Sequence, residues 1–584
     1  MFSCGILSEN SPSELATFEN DEFISEMEAK GSGYPEDASS ILPLIVLISC
    51  ADAVTANNSI TGNKNNLLML CLIAIIGFSK ITNYFVIFAI DCKQNAGGIT
   101  ALLKPEHPII LIHKQIMKRK DKIVLYNVEI ESVAAEGNAL ARVDGKVLFV
   151  PQCIPGDIVD VRLTRKRSGY MEGVVVNMVK PSPLRVEPFC KHYGVCGGCK
   201  WQALPYHLQL KYKQQQVVDQ LTRIGHLQLP EITPILGSEE IENYRNKLEF
   251  TFSNRRWLLT GEDPEAVSDT DRLGLGFHIS GFFDKVLDIR ECHLQAEPSN
   301  AIRNFVREYA IENGLSFFDL REQVGFLKNM VVRTASNGDV MVIMVFAYED
   351  TQLRCGLLDA LASKFPQITS LHYVINGKRN DSIGDLTCVK YAGDDCIYDT
   401  LEDIRFRISP KSFYQTNSKQ AYRLYSVVRE FADLKGDEVL YDLYTGTGTI
   451  GLFLSGKARK VVGIEYVQEA IDDAKLNAAN NGIKNAHFYA GDMKDMLTGK
   501  FIEENGHPDI VVLDPPRAGI HPDVAAVLLE AAPARMVYVS CNPASQARDL
   551  AILSEKYEIT AVRPVDMFPH THHVENVVAL KLKN

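Results

Sequence analysis

Positive charge is not in excess in this sequence: 61 Lys and Arg stand against 73 Asp and Glu, a net charge of −12 over 584 residues. That excludes a protein that coats nucleic acid without selection. It leaves room for a local basic face, because affinity depends on where the cations sit. The thirteen cysteines form no short, dense framework of the secreted type, which points to reduced thiols in a cytoplasmic setting. No uninterrupted apolar run reaches the roughly 18–20 residues of a membrane span. Residue 1 opens no basic segment ahead of an apolar one, so a secretory signal is not indicated. Internal repeats are absent.

What is present is ordinary globular composition, 46% hydrophobic and 23% charged, in a length that calls for more than one domain. Residues 1–40 are rich in Ser, Glu and Gly and read as loosely ordered. Apolar runs follow at 41–50, 67–78 and 85–90. Taken as one, 67–90 is just long enough to cross a bilayer, with Lys80 near its middle at a cost of about 2.5–3.5 kcal/mol. The blander expectation is that residues 1–116 are a poorly defined extension upstream of the working protein. Met117 begins Met-Lys-Arg-Lys-Asp-Lys, and domain-like patterning starts directly after it.

Within 117–185, five short Val- and Ile-rich runs (123–130, 139–143, 147–150, 158–163 and 173–178) are separated by Gly, Asp and Pro turns. They predict a small barrel of the OB type. Arg162, Arg165, Lys166 and Arg167 lie on one strand-to-turn segment ahead of Tyr170. Such a turn suits RNA backbone contact and base stacking, or is simply a solvated hairpin. Residues 205–224 should be helical. A β-rich middle domain occupies 186–405, with a polar, acidic loop insertion at 255–273. In 406–584, apolar runs at 439–443, 460–464, 510–513 and 536–539 alternate with helical segments such as 468–481. That is the βαβ rhythm of an α/β fold with a doubly wound, Rossmann-like sheet.

The run at 439–443 leads into Asp442-Leu-Tyr444-Thr-Gly446-Thr-Gly448-Thr449-Ile-Gly451. A strand, a tight glycine turn and a helix let backbone approach a ligand closely. The next strand ends in Glu465, at about the spacing where a carboxylate meets ribose hydroxyls. These glycines satisfy the dinucleotide pattern, so by themselves they do not separate NAD from S-adenosylmethionine. Further on, a buried strand ends in Asp514-Pro-Pro-Arg517-Ala-Gly519, and another in Ser540-Cys541-Asn542-Pro543. The prolines build a rigid edge, and the thiol falls over the same crevice. Cysteine is often only a small buried hydrophobe; the Asn-Pro turn and the shared crevice favour a reactive thiol. Near the carboxyl end lies Phe568-Pro-His570-Thr-His572-His573-Val-Glu575, ahead of an apolar strand. Its histidines lack the carboxylate-and-histidine spacing of a zinc hydrolase.

The Asp-Pro-Pro-Arg-Ala-Gly, Ser-Cys-Asn-Pro and Phe-Pro-His-Thr-x-His-Val-Glu segments, in that order, resemble the RNA 5-methyluridine methyltransferase family. Ser412-Phe-Tyr-Gln415-Thr-Asn417 resembles its entrance to the catalytic domain, and 117–185 resembles a TRAM domain. The resemblance covers residues 117–584. It implies methyl transfer from S-adenosylmethionine to C5 of a uracil, with Cys541 as nucleophile and Glu575 as base. It also implies Gln415, Tyr444, Glu465 and Asp514 as cofactor contacts, with Thr449 a further one.

Cys190, Cys196 and Cys199 form a C-x5-C-x2-C array among glycines, and Cys292 lies far along the chain. Four cysteines suit an iron–sulfur cluster or zinc, and three plus a distant one favour [4Fe-4S]. The array resembles the cluster of ribosomal-RNA members of the family. With the barrel it favours 23S rRNA over tRNA as substrate. A monomer without a stable protein partner is expected. Rival readings are a non-catalytic RNA-binding or chaperone protein, a membrane-associated protein resting on 67–90, and a C5 methyltransferase acting on DNA or a small molecule.

Overall fold

The computed structural model describes residues 45–49, 87–91 and 123–584. Ile45–Ser49 and Ile87–Asp91 are strands that pair in parallel with each other. The loose order expected for 1–40 lies outside the described residues, as does most of the run 67–90. Among the described residues no helix is long and apolar enough to cross a membrane.

Arg119–Asn584 is a compact unit of its own, built in three parts. The first is a six-stranded sheet made from Val124–Glu129, Ser132–Val133, Ala139–Val143, Lys146–Val150, Ile158–Lys166 and Tyr170–Lys180. Alternation along these strands buries Ala139, Ala141, Leu148, Val150, Val159 and Val161 together. The strand that the sequence did not reveal, Ser132–Val133, is two residues long. The last hairpin extends beyond its apolar pattern. Arg165 therefore lies in the ladder, 3.3 Å from Glu172, and Lys166 and Arg167 stand exposed at the tip.

The second part is a seven-stranded sheet in the order Phe282–Asp288, Gly274–Ile279, Lys247–Ser253, Leu327–Thr334, Val340–Phe346, Ile368–Ile375, Val389–Gly393. Val340–Phe346 and Ile368–Ile375 are parallel, and helix Thr351–Lys364 connects them. Val340–Phe346 is buried at every position, which explains its unbroken apolar sequence. The insertion at 255–273 closes on itself. Arg256 pairs with Glu262 at 2.7 Å, its backbone N–H donates to Arg272 O at 2.8 Å, and Arg272 Nη2 donates to Pro264 O at 2.5 Å.

The third part has strands β1 (Val439–Leu443), β2 (Lys460–Glu465), β3 (Ala486–Ala490), β4 (Ile510–Leu513), β5 (Arg535–Ser540), β6 (Tyr557–Val565) and β7 (Glu575–Leu582). Their order is β3-β2-β1-β4-β5-β7-β6, with β7 antiparallel to both neighbours and the other pairs parallel. The strand order reverses between β1 and β4, so the loops after these strands open a crevice at the carboxyl edge.

Helix Tyr206–Arg223 lies between the first two parts in sequence, yet it buries Val217 and Leu221 with Ala547 and Leu550 of the third. Lys213 Nζ meets Asp566 Oδ1 at 2.6 Å, both side chains fully buried, and also donates to Phe568 O at 3.0 Å. The segment leading into β7 is thus anchored from outside its own sheet. Lys213→Met leaves the Asp566 carboxylate buried without its cation and is expected to cost about 3–5 kcal/mol, seen as a lower thermal midpoint. Adding Asp566→Leu should restore most of that loss. A single variant as stable as the parent would mean that water already reaches the pair.

Candidate active site

Asp442 sits on β1 and is 1% exposed. Its Oδ2 accepts the Gly451 backbone N–H at 2.8 Å and the Thr445 hydroxyl, which closes the glycine turn over the strand end. A Cβ on Gly451 would lie 2.8 Å from that same oxygen, so only glycine fits there. Tyr444 takes a left-handed conformation, φ 64°, which a tyrosine adopts only when its surroundings impose it. At the end of β2, Glu465 accepts backbone N–H groups from Gly446 and Val467, each at 3.1 Å. The carboxylate therefore sits against the turn. Thr449 opens the short helix after the turn, its hydroxyl 3.2 Å from that of Thr447. Beside the turn is a cavity of about 590 Å³ lined by Tyr444, Tyr466, Asp492, Met493, Gly519 and Arg548, among others.

The second half of the crevice carries the thiol. Cys541 follows β5 directly, and Asn542 caps helix Pro543–Leu553 by accepting the Ala544 N–H at 3.2 Å. Asn542 Nδ2 and Ser545 Oγ both donate to Arg517 O, at 3.0 and 2.9 Å, tying the Pro-Pro loop to the thiol turn. Glu575 is the first residue of β7 and is 6% exposed. Its neighbour Asn576 exchanges bonds with Gln546 of the thiol's helix: Asn576 Nδ2 donates to Gln546 Oε1 at 2.8 Å, and Gln546 Nε2 donates to Asn576 O at 3.2 Å. Thiol and carboxyl are thereby held on adjacent, antiparallel strands by one side-chain clasp.

The electrostatics are those of a crowded acidic pocket. Burial pushes Asp442 up to about 6, with Glu465 adding to it. Burial and Asp442 push Asp514 up to about 7, and burial and Asp514 push Glu575 up to about 8. The Cys541 thiol is pushed to about 11 by burial, then by Glu575 and Asp514, while Arg517 pulls it down. Burial, then the charges of Asp514, Asp442 and Glu575, raise the Tyr425 phenol, and its hydrogen bond with Gln415 opposes them.

A carboxyl raised in the folded state holds its proton there and loses it more readily on unfolding. Its contribution to stability is complete below the unfolded pKa near 4 and is lost as pH rises through the folded value. The ligand-free protein is therefore expected to melt progressively lower between pH 5 and 8, and Glu575→Gln should flatten that slope. An equally steep slope in Glu575→Gln would place the titration elsewhere.

The three histidines serve different ends. His570 Nδ1 lies 3.2 Å from Gln209 Nε2, and its backbone N–H donates to Gln209 Oε1 at 2.9 Å. His572 lies beside Gly137, in the turn between two strands of the first sheet, and Arg517 Nη2 donates to His573 Nδ1 at 3.3 Å. Burial lowers all three, His572 to about 3 and the others to about 4. The four cysteines, all free thiols, line one cavity of about 240 Å³. Burial pushes Cys196 up to about 11 and Cys199 to about 12. Among the described residues no group of three or more His, Cys, Asp or Glu side chains converges as a ready site for a metal ion.

Asp492, Tyr425, Arg517 and Gln209 received no individual role from the sequence. For Asp492 a signal existed, an acid one residue beyond a strand, but β3 is too exposed to announce itself (only Phe488 is buried).

Comparison with known proteins agrees with this geometry. The family described as tRNA (Uracil-5-)-methyltransferase matches residues 394–583, and the TRAM domain matches 125–176. An RNA methyltransferase of Bacteroides thetaiotaomicron is 58% identical over 454 residues, 77% of this chain and 100% of that one. Another from Porphyromonas gingivalis is 57% identical over 460 residues, covering 78% and 99%. Among solved structures, the Pyrococcus abyssi tRNA (uracil-54, C5)-methyltransferase in complex with S-adenosyl-L-homocysteine is 29% identical with a TM-score of 0.61, covering 78% of this chain and 100% of that one. With the sheet order, the glycine turn and the paired thiol and carboxyl already in place, these matches show that the chain belongs to the RNA 5-methyluridine methyltransferase family.

Proposed function

We propose that the protein transfers the methyl group of S-adenosylmethionine to C5 of a specific uridine in 23S rRNA, through a covalent bond between Cys541 and C6 of the uracil. The observation that carries this reading is the Gln546–Asn576 clasp, which holds Cys541 and Glu575 on neighbouring strands over one crevice. Residues 117–185 serve as the TRAM domain, 186–405 as the cysteine-bearing middle domain and 406–584 as the catalytic domain. The enzyme works as a cytoplasmic monomer, and residues 1–116 lie outside its machinery.

The pocket fits a cationic cofactor. Asp442, Asp514 and Glu575 crowd one another, and Asp442 Oδ1 is buried without a partner. A positive ligand relieves that crowding, whereas the pyrophosphate of a dinucleotide aggravates it. Gln415, Tyr444, Glu465 and Asp514 would hold the cofactor, with Thr449 beside them. Bound S-adenosylmethionine supplies an electrophilic methyl group on a sulfonium.

The chain's own residues supply the rest. Uracil C5 is too weak a nucleophile in the intact ring. The Cys541 thiolate, favoured by Arg517, bonds to C6 and shifts the electron pair to C5 as an enolate. After C5 is methylated, Glu575 removes the C5 proton, and the thiolate leaves C6 as the double bond re-forms. The target base must first leave its stack, since both faces of the ring are used.

Cys190, Cys196, Cys199 and Cys292 would hold a [4Fe-4S] cluster with a role in folding or RNA placement. The observation that supports a metal-bound group is that all four cysteines line one cavity. The presence of both this array and the TRAM domain favours ribosomal RNA. A tRNA substrate is the second reading, favoured by the likeness to the archaeal tRNA (uracil-54, C5)-methyltransferase. Labelled S-adenosylmethionine, offered with unmodified 23S rRNA and tRNA side by side, decides between them. Label as 5-methyluridine in rRNA supports the first reading; label in tRNA alone overturns the substrate, and label in neither overturns the activity.

A further inference from the structure

The molecule contains a buried cation with no visible reason to be there. Arg303, on helix Ser299–Glu312, is 0% exposed. Its Nε donates to Ile289 O at 2.7 Å, and its guanidinium lies 4.9 Å from the Phe250 ring. Both Nη atoms are buried without a hydrogen-bond partner. The nearby carboxylates are committed elsewhere: Asp288 pairs with Arg307 at 2.9 Å and Arg290 at 3.1 Å, and Glu297 accepts the Ala301 N–H at 3.1 Å. An uncompensated buried charge costs several kcal/mol, so a chain that keeps one must gain something from it in another state.

That state is indicated by what lies beside it. Ile289, whose carbonyl Arg303 holds, lines the cavity ringed by the four cysteine thiols. One turn back on the same helix face, Asn300 clasps Cys292: Oδ1 accepts the Cys292 N–H at 2.8 Å, and Nδ2 donates to Cys292 O at 3.3 Å. The helix thus presents an amide that fixes a cysteine's backbone and a guanidinium behind the same wall. Four neutral thiols need no cation. Four thiolates around one Zn²⁺, or around a [4Fe-4S]²⁺ core, carry two net negative charges in a closed pocket.

We infer that Arg303 is the buried counter-charge for an anionic metal–thiolate group held by Cys190, Cys196, Cys199 and Cys292. The inference rests on the metal reading of those cysteines. It gives the residue opposite effects in the empty and the loaded protein.

The experiment compares the full-length wild type with Arg303→Met and Arg303→Lys, each prepared metal-free and then loaded anaerobically with iron and sulfide or with zinc alone. Arg303→Met should melt no lower than wild type when empty, because a buried unpaired charge has gone. It should bind metal about 10–100-fold more weakly, and its iron-loaded form should show a more negative reduction potential. Arg303→Lys should recover much of the affinity. A purely structural role would instead lower the melting point of the empty protein. Equal metal retention and an equal potential in Arg303→Met would overturn the inference. Wild type that takes one zinc and no iron would end the cluster reading, and the zinc affinity of Arg303→Met would then decide. Wild type that takes neither metal would sink both.

Discussion

Cys541→Ala is expected to lower methyl transfer to RNA more than about 10⁴-fold, some 5 kcal/mol of transition-state stabilisation, with little change in S-adenosylmethionine affinity. The size follows from the chemistry: without addition at C6, C5 never gains the electron density to attack a methyl group, and no other residue replaces a covalent bond. The affinity should survive because the glycine turn and Glu465 are built at the ends of β1 and β2, not on the thiol turn. Cys541 is only partly buried, so its truncation leaves a small void, and Asn542 still caps its helix. Tritiated methyl transfer, with cofactor binding by calorimetry as the control, measures both quantities. More than about one per cent of parental activity in the variant would remove Cys541 from the nucleophile's place.

Glu575→Gln is expected to stop the reaction at a different point. Loss of a positioned base costs about 10²–10⁴-fold in turnover, but the steps before proton removal remain available. RNA should therefore accumulate on the protein as a methylated adduct that survives denaturing electrophoresis, and Cys541→Ala in the same chain should abolish that adduct. The pH dependence provides a second readout. Burial and Asp514 hold the Glu575 carboxyl up at about 8 in the free enzyme. A base must be ionised, so kcat/KM should rise with pH through about that value, and in Glu575→Gln this limb should vanish. Normal turnover with no adduct would assign the proton to another group, with Asp514, whose charge acts on Glu575, the alternative.

Much of this site is legible in the order of residues alone. β1, β2, β4 and β5 are central strands covered on both faces, so each appears as a short apolar run, and its last residue marks the crevice. The glycine turn, Glu465, Asp514 and Cys541 fall at or just past such ends, whereas Glu575 opens the antiparallel β7. β3 and β6 escaped because edge strands are half-exposed: Ala486–Ala490 buries one residue, and Tyr557–Val565 alternates with charged positions. The insertion at 255–273 looked only acidic because the arginines that stitch it are indistinguishable in sequence from solvated ones.

By itself, then, the sequence determined the α/β fold class and which residues end the central strands, since apolar periodicity, glycine turns and proline stops are local signals carried by neighbouring residues; the TRAM and methyltransferase segments came from the resemblance of its motifs. Tertiary structure alone decided that Tyr425 is buried in the core beneath the crevice, that Gln209 and Lys213 clamp the loop before Glu575 from about 350 residues away, and that Arg303 lies without a carboxylate partner behind the cysteine cavity. A buried polar residue carries no mark in sequence of the partner it will meet. Its energy is set by desolvation and by whichever groups the folded chain brings within hydrogen-bonding distance, and those contacts form only when distant segments pack.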